Sequence, residues 1–346
     1  MKSFGFPPFV YASMIAPVPE VLADHGGKLD RPFREAGIPI ELTSQPELTL
    51  PIRDYLNLLA SSARETGDEH FGISMAERMK IEDLGPFGRL ISGAPTLRRA
   101  IETTNALVHK FSPAMTCWLE LEGDTARWSY QLNGARDGGE GHRHDCEASL
   151  VLFRTVIRLA ASSGWQPNEI LLGESTRRNL RSFQSRFGGA CRYAETAYAL
   201  VFPRDLLDLP MIYVRPLGEL QKQALLIRLD ATRPEDSFVG SVRAVIRSQL
   251  CGGYPEISTV ARAIEMTVRT FQRRLSEAGL VFSDLVADVR RGLAQEMLAD
   301  PWKKQLDISL SLGYSDAANF SRAFKQWTGV TPREFRRSLL RSATTA

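Results

Sequence analysis

The sequence predicts an α+β N-terminal domain followed by an all-α C-terminal domain, in which a linker helix joins two helix-turn-helix units. Three observations carry this reading. Up to about residue 226, segments of helical period are interleaved with segments that alternate apolar and polar residues; after residue 237 only the helical period remains. The charge divides at the same place: from Arg243 onward there are 16 Lys+Arg against 10 Asp+Glu, whereas the rest of the chain has 27 against 30. Finally, 346 residues at 43% hydrophobic and 24% charged suffice for two packed cores.

In chain order, residues 1 to about 48 are rich in Pro and Gly, and Val18 to Ala23 reads as a short helix. Ile52, Tyr55, Leu56 and Leu59 repeat at helical spacing up to Gly67. Thr96 to Lys110 reads as a helix with Leu97, Ala100, Ile101 and Leu107 inward. Thr116–Glu122 and Thr125–Leu132 then alternate around Gly123-Asp124, the pattern of a β-hairpin. A Gly-rich loop, Asn133 to Gly141, leads to an apolar helix from Glu147 to Ala161, a strand at Ile170–Leu172, a basic helix from Thr176 to Phe187 and a strand at Ala197–Phe202. These boundaries give an N-terminal domain over 1–228, a linker over 229–237 around Arg-Pro-Glu-Asp, and a C-terminal domain over 238–346.

In the C-terminal domain a helix over Phe238–Leu250 precedes Gly252-Gly253 and Pro255. Ile257–Ile264 and Val268–Glu277, the latter capped by Thr267, form a helix-turn-helix over 257–277. A helix over Ser283–Leu298 links it to a second unit over 304–326. There Gly313 takes the left-handed turn, Ser315 offers an oxygen as cap, and Asp316 sits at the positive helix end. Ala317, Phe320, Ala323 and Phe324 share one face, away from Asn319, Ser321, Arg322 and Lys325. Thr331-Pro332-Arg333-Glu334 is a capping box opening a terminal helix.

Such helices are the shape that enters a DNA major groove. On the first, Arg269, Gln272, Arg273 and Ser276 lie at i, i+3, i+4 and i+7 and so share a face opposite Phe271 and Leu275. Arg269 and Arg273 can present a fork to guanine, and Gln272 can pair with adenine. On the second, Arg322 is the main base-reading candidate, with Asn319 and Ser321 beside it. Thr267, Thr270, Arg274, Lys325, Arg333 and Arg336 are assigned to the phosphate backbone. A linker helix of about 16 residues spans roughly 24 Å, less than the roughly 34 Å between successive groove faces, so full engagement is expected to bend the DNA.

Two such units, closed by Thr328-Gly329-Val330-Thr331-Pro332 after Leu312-Gly313-Tyr314-Ser315 and Asn319 to Lys325, resemble the AraC/XylS family of bacterial transcription regulators over roughly Val239–Leu340. Leu50-Pro51-Ile52, Thr66-Gly67-Asp68, Leu84-Gly85 and Phe187-Gly188 resemble the effector or dimerisation domain of the family's ornithine-utilisation and virulence-regulator branch. The resemblance implies a sequence-specific regulator, chiefly an activator, with double-stranded DNA and RNA polymerase as partners and an N-terminal domain that binds a small organic effector, forms a homodimer, or both. The chain departs from the pattern at Glu265, where a turn glycine is common, at Gln305 and Ser309, and at the Ala317-Ala318 pair. The double alanine shifts the expected base reading toward the first unit.

Other chemistry is weaker. His142, His144, Asp145, Cys146 and Glu147 are metal-ligand types without a second cluster at recognised spacing, so no metal and no cofactor is expected. Trp118, Trp128 and Tyr130 suit either a ligand pocket or a core. His70 and His109 read as ordinary helix or surface residues. No nucleophile–base–acid set stands out, and the chain is read as a non-enzyme. The alternative is an enzyme domain fused to a DNA-binding module, as in adaptive-response alkylation repair, but no Pro-Cys-His-Arg-like acceptor is present. Cys117, Cys146, Cys191 and Cys251 form no CxxC pair, and no apolar run or leader suggests a membrane, so a cytoplasmic setting is expected.

Overall fold

The computed structural model describes residues 7–133, 139–173, 180–194, 197–212, 217–232, 234, 236–300 and 302–344. The chain divides into two compact units, one of Met1–Gly37 with Thr43–Arg233 and one of Ile38–Leu42 with Pro234–Ala346. Among the described residues, no helix is long and apolar enough to cross a membrane.

In the first unit β1 (Phe9–Tyr11) pairs antiparallel with β2 (Thr49–Pro51), and α1 (Val18–Asp24) and α2 (Asp30–Ala36) lie between them in sequence. Helices α3 (Ile52–Thr66), α4 (Phe71–Ala76), α5 (Gly85–Ser92) and α6 (Leu97–Phe111) follow. Thr96 caps α6 by accepting from the Arg99 N–H. The expected hairpin forms as β3 (Met115–Glu122) and β4 (Thr125–Leu132), with Gly123 at φ +56° in its two-residue turn. After α7 (Glu140–Arg158) come β5 (Glu169–Leu172), α8 (Leu180–Phe187), β6 (Ala190–Tyr193), β7 (Tyr198–Pro203) and α9 (Glu219–Ala231). The five-stranded sheet runs β3-β4-β7-β5-β6, antiparallel except for the β5–β6 pair.

Helix α7 covers the sheet. Trp128 stacks flat on Phe153 with centroids 3.6 Å apart, and the Tyr130 hydroxyl donates to Asp145 at 2.6 Å. Both aromatics line an apolar cavity of about 50 Å³ with Phe87 and Phe111, far below the size of a metabolite site, so they belong to the core. Trp118 is only half-buried and donates to Glu120.

Helix α7 starts seven residues before the expected Glu147. Gly138–Gly141 suggests a loop, yet Gly141 lies inside the helix because α3 passes close: a Cβ there would sit 2.0 Å from the Leu56 carbonyl oxygen. Gly72 plays the same part from α4, where a Cβ would meet the His144 carbonyl oxygen at 1.9 Å. The His142–Glu147 run is therefore helical, and Asp145 does not sit in the first turn of α7. His70 is corrected as well. It is 4% exposed, 3.2 Å from Glu147 through Nδ1 and 2.9 Å from Ser182 through Nε2. His144 approaches Glu147 at 3.6 Å. Among the described residues no group of His, Cys, Asp and Glu is arranged to hold a metal ion.

Part of the Gly-rich loop (134–138), the start of the expected basic helix (Thr176), and Arg233 and Glu235 of the expected linker lie outside the described residues. Residue 229, the expected linker start, falls inside α9. The helix continues to Ala231 because Leu225 and Leu229 are buried and Tyr11 reaches Thr232 at 2.6 Å.

The second unit is helical: α10 (Phe238–Gln249), α11 (Ile257–Ala263), α12 (Val268–Glu277), α13 (Phe282–Ala299), α14 (Gln305–Ser311), α15 (Ala317–Thr328) and α16 (Pro332–Thr344). Val242, Val245 and Ile246 of α10 and Leu285, Val289 and Leu293 of α13 are buried with Phe271, Phe320 and Phe324.

Gly72→Ala is expected to cost about 1–3 kcal/mol in urea denaturation through overpacking, whereas Gly164→Ala, with open space around it, should stay within about 0.5 kcal/mol. The buried carboxylates give opposite pH trends. Burial raises the pKa of Asp145, despite the hydroxyl of Tyr130. The native state thus holds that proton more tightly than the unfolded chain, and the contribution of Asp145 to stability falls as pH rises. Burial also opposes the charge on Glu147, but its contacts with His144, His70 and Arg143 together outweigh it and lower its pKa. As pH rises above about 4, Asp145→Asn should therefore gain stability relative to the native protein. The contribution of Glu147 is present above about pH 4.5 and lost as pH falls below it, so Glu147→Gln should be less stable than the native protein near neutral pH, and the gap should narrow only below about pH 4.5.

Candidate nucleic-acid interface

The two helix pairs are built on the same turn. After α11, the Glu265 N–H bonds the Arg262 carbonyl at 3.0 Å and the Met266 N–H bonds the Ala261 carbonyl at 2.9 Å. After α14, the Gly313 N–H bonds the Leu310 carbonyl and the Tyr314 N–H the Ser309 carbonyl, both at 2.9 Å. Each is a Schellman stop, whose first residue past the helix must be left-handed. Gly313 meets this at φ +73° without a side chain, whereas Glu265 sits at φ +59°, the only non-glycine at positive φ among the described residues. The departure noted at Glu265 is thus a strained residue in a preserved turn. Gly313 has a second reason to be glycine, since a Cβ would lie 2.9 Å from the backbone of Gly253.

In the first pair, Thr267 caps α12 by accepting from the Thr270 N–H at 3.2 Å, and its hydroxyl also bonds that of Thr270. Phe271 is fully buried and meets Phe238 and Phe282 edge-on, with centroids 5.9 Å away in each case. That contact fixes the rotation of α12, and the four residues of the opposite face, Arg269, Gln272, Arg273 and Ser276, are exposed. Among the described residues Arg273 has only an exposed pair with Glu277 at 3.4 Å, a weak restraint. Arg274 is exposed but stacks over Phe238 at 5.8 Å.

In the second pair the cap is Asp316, not Ser315: Asp316 Oδ1 accepts from the Asn319 N–H at 2.7 Å, while Ser315 donates to the other carboxylate oxygen. The carboxylate wins because it accepts at both oxygens and matches the positive helix end. The backbone N–H of Asn319 accordingly holds the Asp316 pKa below the usual carboxylate range. Ser321 is half-buried, donates to Ala317 and receives Gln305 Nε2 at 2.6 Å. Gln305 therefore anchors α14 to α15 by a hydrogen bond, where the family pattern uses apolar contact. Asn319 is half-buried, its amide directed to Asp316 and Ser315 and its oxygen to Arg322. The exposed positions of α15 are Ala318, Arg322, Lys325 and Gln326.

Of the residues assigned to phosphates, Arg333 is exposed in the first turn of α16, next to the observed Thr331–Glu334 capping box. Arg336 is half-buried, and its guanidinium donates to the carbonyls of Leu298, in the last turn of α13, and of Lys303, just before α14. The first of these is an orphan helix acceptor.

A contact that joins the two pairs is not evident from residue spacing. Arg290 of α13 lies 5.1 Å from the ring of Tyr254 and 4.8 Å from that of Tyr314. Tyr254 precedes the first helix pair and Tyr314 lies in the turn of the second, so one guanidinium bridges both. Two tyrosines placed just outside helical segments were the only available signal. Helix α13 has 18 residues, about 27 Å, still short of the roughly 34 Å groove repeat.

Comparison with known proteins decides the family. Residues 26–211 match the arabinose-binding domain of AraC transcription regulators, N-terminal, and residues 260–338 match a helix-turn-helix domain. The chain belongs to the AraC family. It is 24% identical over 333 residues to the ornithine utilization regulator of Pseudomonas aeruginosa, covering 95% of this chain and 96% of that one. It is 25% identical over 314 residues to the regulator VirS of Mycobacterium tuberculosis, covering 88% and 90%. The crystal structure of the regulator CdpR from Pseudomonas aeruginosa aligns over 94% of this chain and 98% of its own, at 20% identity and a TM-score of 0.45. This AraC-family chain is a DNA-binding transcription regulator, with an arabinose-binding-like N-terminal domain and a helix-turn-helix C-terminal region.

The unequal turns give a stability test. Glu265→Gly should raise the stability of the AraC-type unit by up to about 1 kcal/mol, since relief of left-handed strain exceeds glycine's added chain entropy. Gly313→Ala should lower it by about 2 kcal/mol or more through strain and the approach to Gly253. Thermal unfolding of both variants measures the difference.

Proposed function

We propose that this AraC-family regulator selects its operator chiefly through the outer face of α12, while α15 contributes mainly backbone contacts. One contrast supports this reading. Arg269, Gln272 and Arg273 project from a helix whose packing does not use them, whereas Ser321 and Asn319 are committed to hydrogen bonds inside their own unit. A residue that caps a helix or locks two helices together cannot turn to a base edge without loosening the fold. Arg269 and Arg273 read guanines, Gln272 reads adenine, and Arg322 supplies one further base contact beside Ala318, which meets a thymine methyl. Lys325, Arg274, Arg333, Thr267 and Thr270 hold phosphates. Arg336 supports the end of α13 instead. With a linker helix shorter than the groove repeat, full engagement bends the duplex.

The protein acts as an activator, with RNA polymerase as the downstream partner, and the N-terminal domain supplies control by binding a small organic effector and by pairing with a second copy. The relatives' full-length similarity to named regulators supports this assignment.

Footprinting the promoters beside the protein's own locus locates the operator. Arg269→Ala and Arg273→Ala should each cost about 1–3 kcal/mol and relax preference at particular base pairs. Lys325→Ala and Arg333→Ala should weaken all sequences alike and reduce the salt slope by about one each. Ser321→Ala should change stability and leave base preference intact; a changed preference there would sink the proposed division. Phased gel-mobility probes should reveal a bend.

A further inference from the structure

The first unit holds a second cavity, of about 330 Å³, open to solvent on one side and bounded by the β1 end, the loop before β2, the start of α5 and the last turn of α9. Its size lies within the range of small-molecule sites. Ser13, 2% exposed, lines it, and its hydroxyl has no hydrogen-bond partner among the described residues. A buried hydroxyl without a partner costs stability unless something else satisfies it.

The charges around this space are unequal in their commitments. Arg228 already pairs with Glu47 at 2.5 Å, and Asp83 accepts from the Lys80 N–H. Arg89 and Glu82 also line the cavity, and neither has an ion pair among the described residues. A solvent-exposed cation and a solvent-exposed carboxylate, neither ion-paired, thus line the same cavity as an unsatisfied hydroxyl. A simple anion would leave Glu82 repelling it, and a simple cation would meet Arg89. A molecule carrying both charges satisfies both.

We propose that this cavity is the effector site and that it takes a small zwitterion of the amino-acid type. Its carboxylate meets Arg89, its ammonium meets Glu82, and Ser13 completes the hydrogen bonding. The proposal deepens the reading of this chain as an effector-controlled regulator and rests on it. It also supplies a route to control. Arg228 and Thr232, at the end of α9, line the same cavity, and α9 is the last helix before the chain enters the DNA-binding unit. A ligand there acts on the Tyr11–Thr232 and Arg228–Glu47 contacts that hold this helix end.

The test is a thermal-shift and calorimetric titration of the full chain with the twenty standard amino acids, their decarboxylated amines, their deaminated acids, and L-arabinose as a neutral sugar. At least one amino acid should bind saturably, while its matching amine and acid bind at least about tenfold more weakly. Arg89→Gln, Glu82→Gln and Ser13→Ala should each weaken that amino acid at least about tenfold. Circular dichroism and unliganded melting establish that these exposed or small substitutions leave the fold intact. Binding of no amino acid overturns the proposal, as does binding that Arg89→Gln and Glu82→Gln leave unchanged. Operator binding measured on the same samples separates the two levels. If L-arabinose or a deaminated acid alone alters it, effector control stands and the zwitterion site falls. If no compound binds or alters it, effector control falls as well.

Discussion

The DNA-binding unit depends on a backbone constraint: the chain must leave each first helix through one residue in the left-handed region. Only that conformation lets the next two N–H groups return to the carbonyls of the helix just ended, at Arg262 and Ala261 in one case and Leu310 and Ser309 in the other. The stop sets where the second helix of each pair begins, and the buried faces of Phe271 and Phe320 then set its rotation. Glycine serves this need freely at 313, and a glutamate serves it under strain at 265. Both pairs obey one geometry with different local energies, and Arg290 between Tyr254 and Tyr314 ties them together.

That shared geometry leaves the two outer faces unequal. Helix α12 is held by aromatic packing on one side and keeps its polar side exposed, with the weak Arg273–Glu277 pair as its restraint. Helix α15 holds itself with its polar side: Asp316 caps, Asn319 braces the cap, and Ser321 receives Gln305. The unusual Gln305 and the unremarkable Ser321 are therefore two halves of one bond.

The C-terminal helices were legible in the sequence because each is amphipathic and capped by a local signal, such as Thr267 or the Thr331–Glu334 box. The hairpin was legible for the same reason, with alternation on both sides of Gly123. What escaped was set by distant partners. Gly141 looked like a loop residue, yet it is glycine because Leu56, 85 positions earlier, passes against it. His70 looked ordinary because Glu147 and Ser182 are far away in sequence. The short strands β1, β2 and β6 carry too few residues to show a period, and their pairing is entirely non-local. At the candidate interface, spacing identified the outward face of α12, whereas the inward turn of Ser321, Asn319 and Arg336 depended on neighbours that spacing does not reveal.

The uncommitted face of α12 bears on how such a regulator can diverge. Substitutions at 269, 272 and 273 disturb no buried contact, so on the proposed reading operator preference can drift there without loss of folding stability. Changes at 319 or 321 disturb the unit that carries them. A duplicated copy acquiring a new target would vary first in the helix that folds without its own outer side chains, and its second helix would remain the conservative partner.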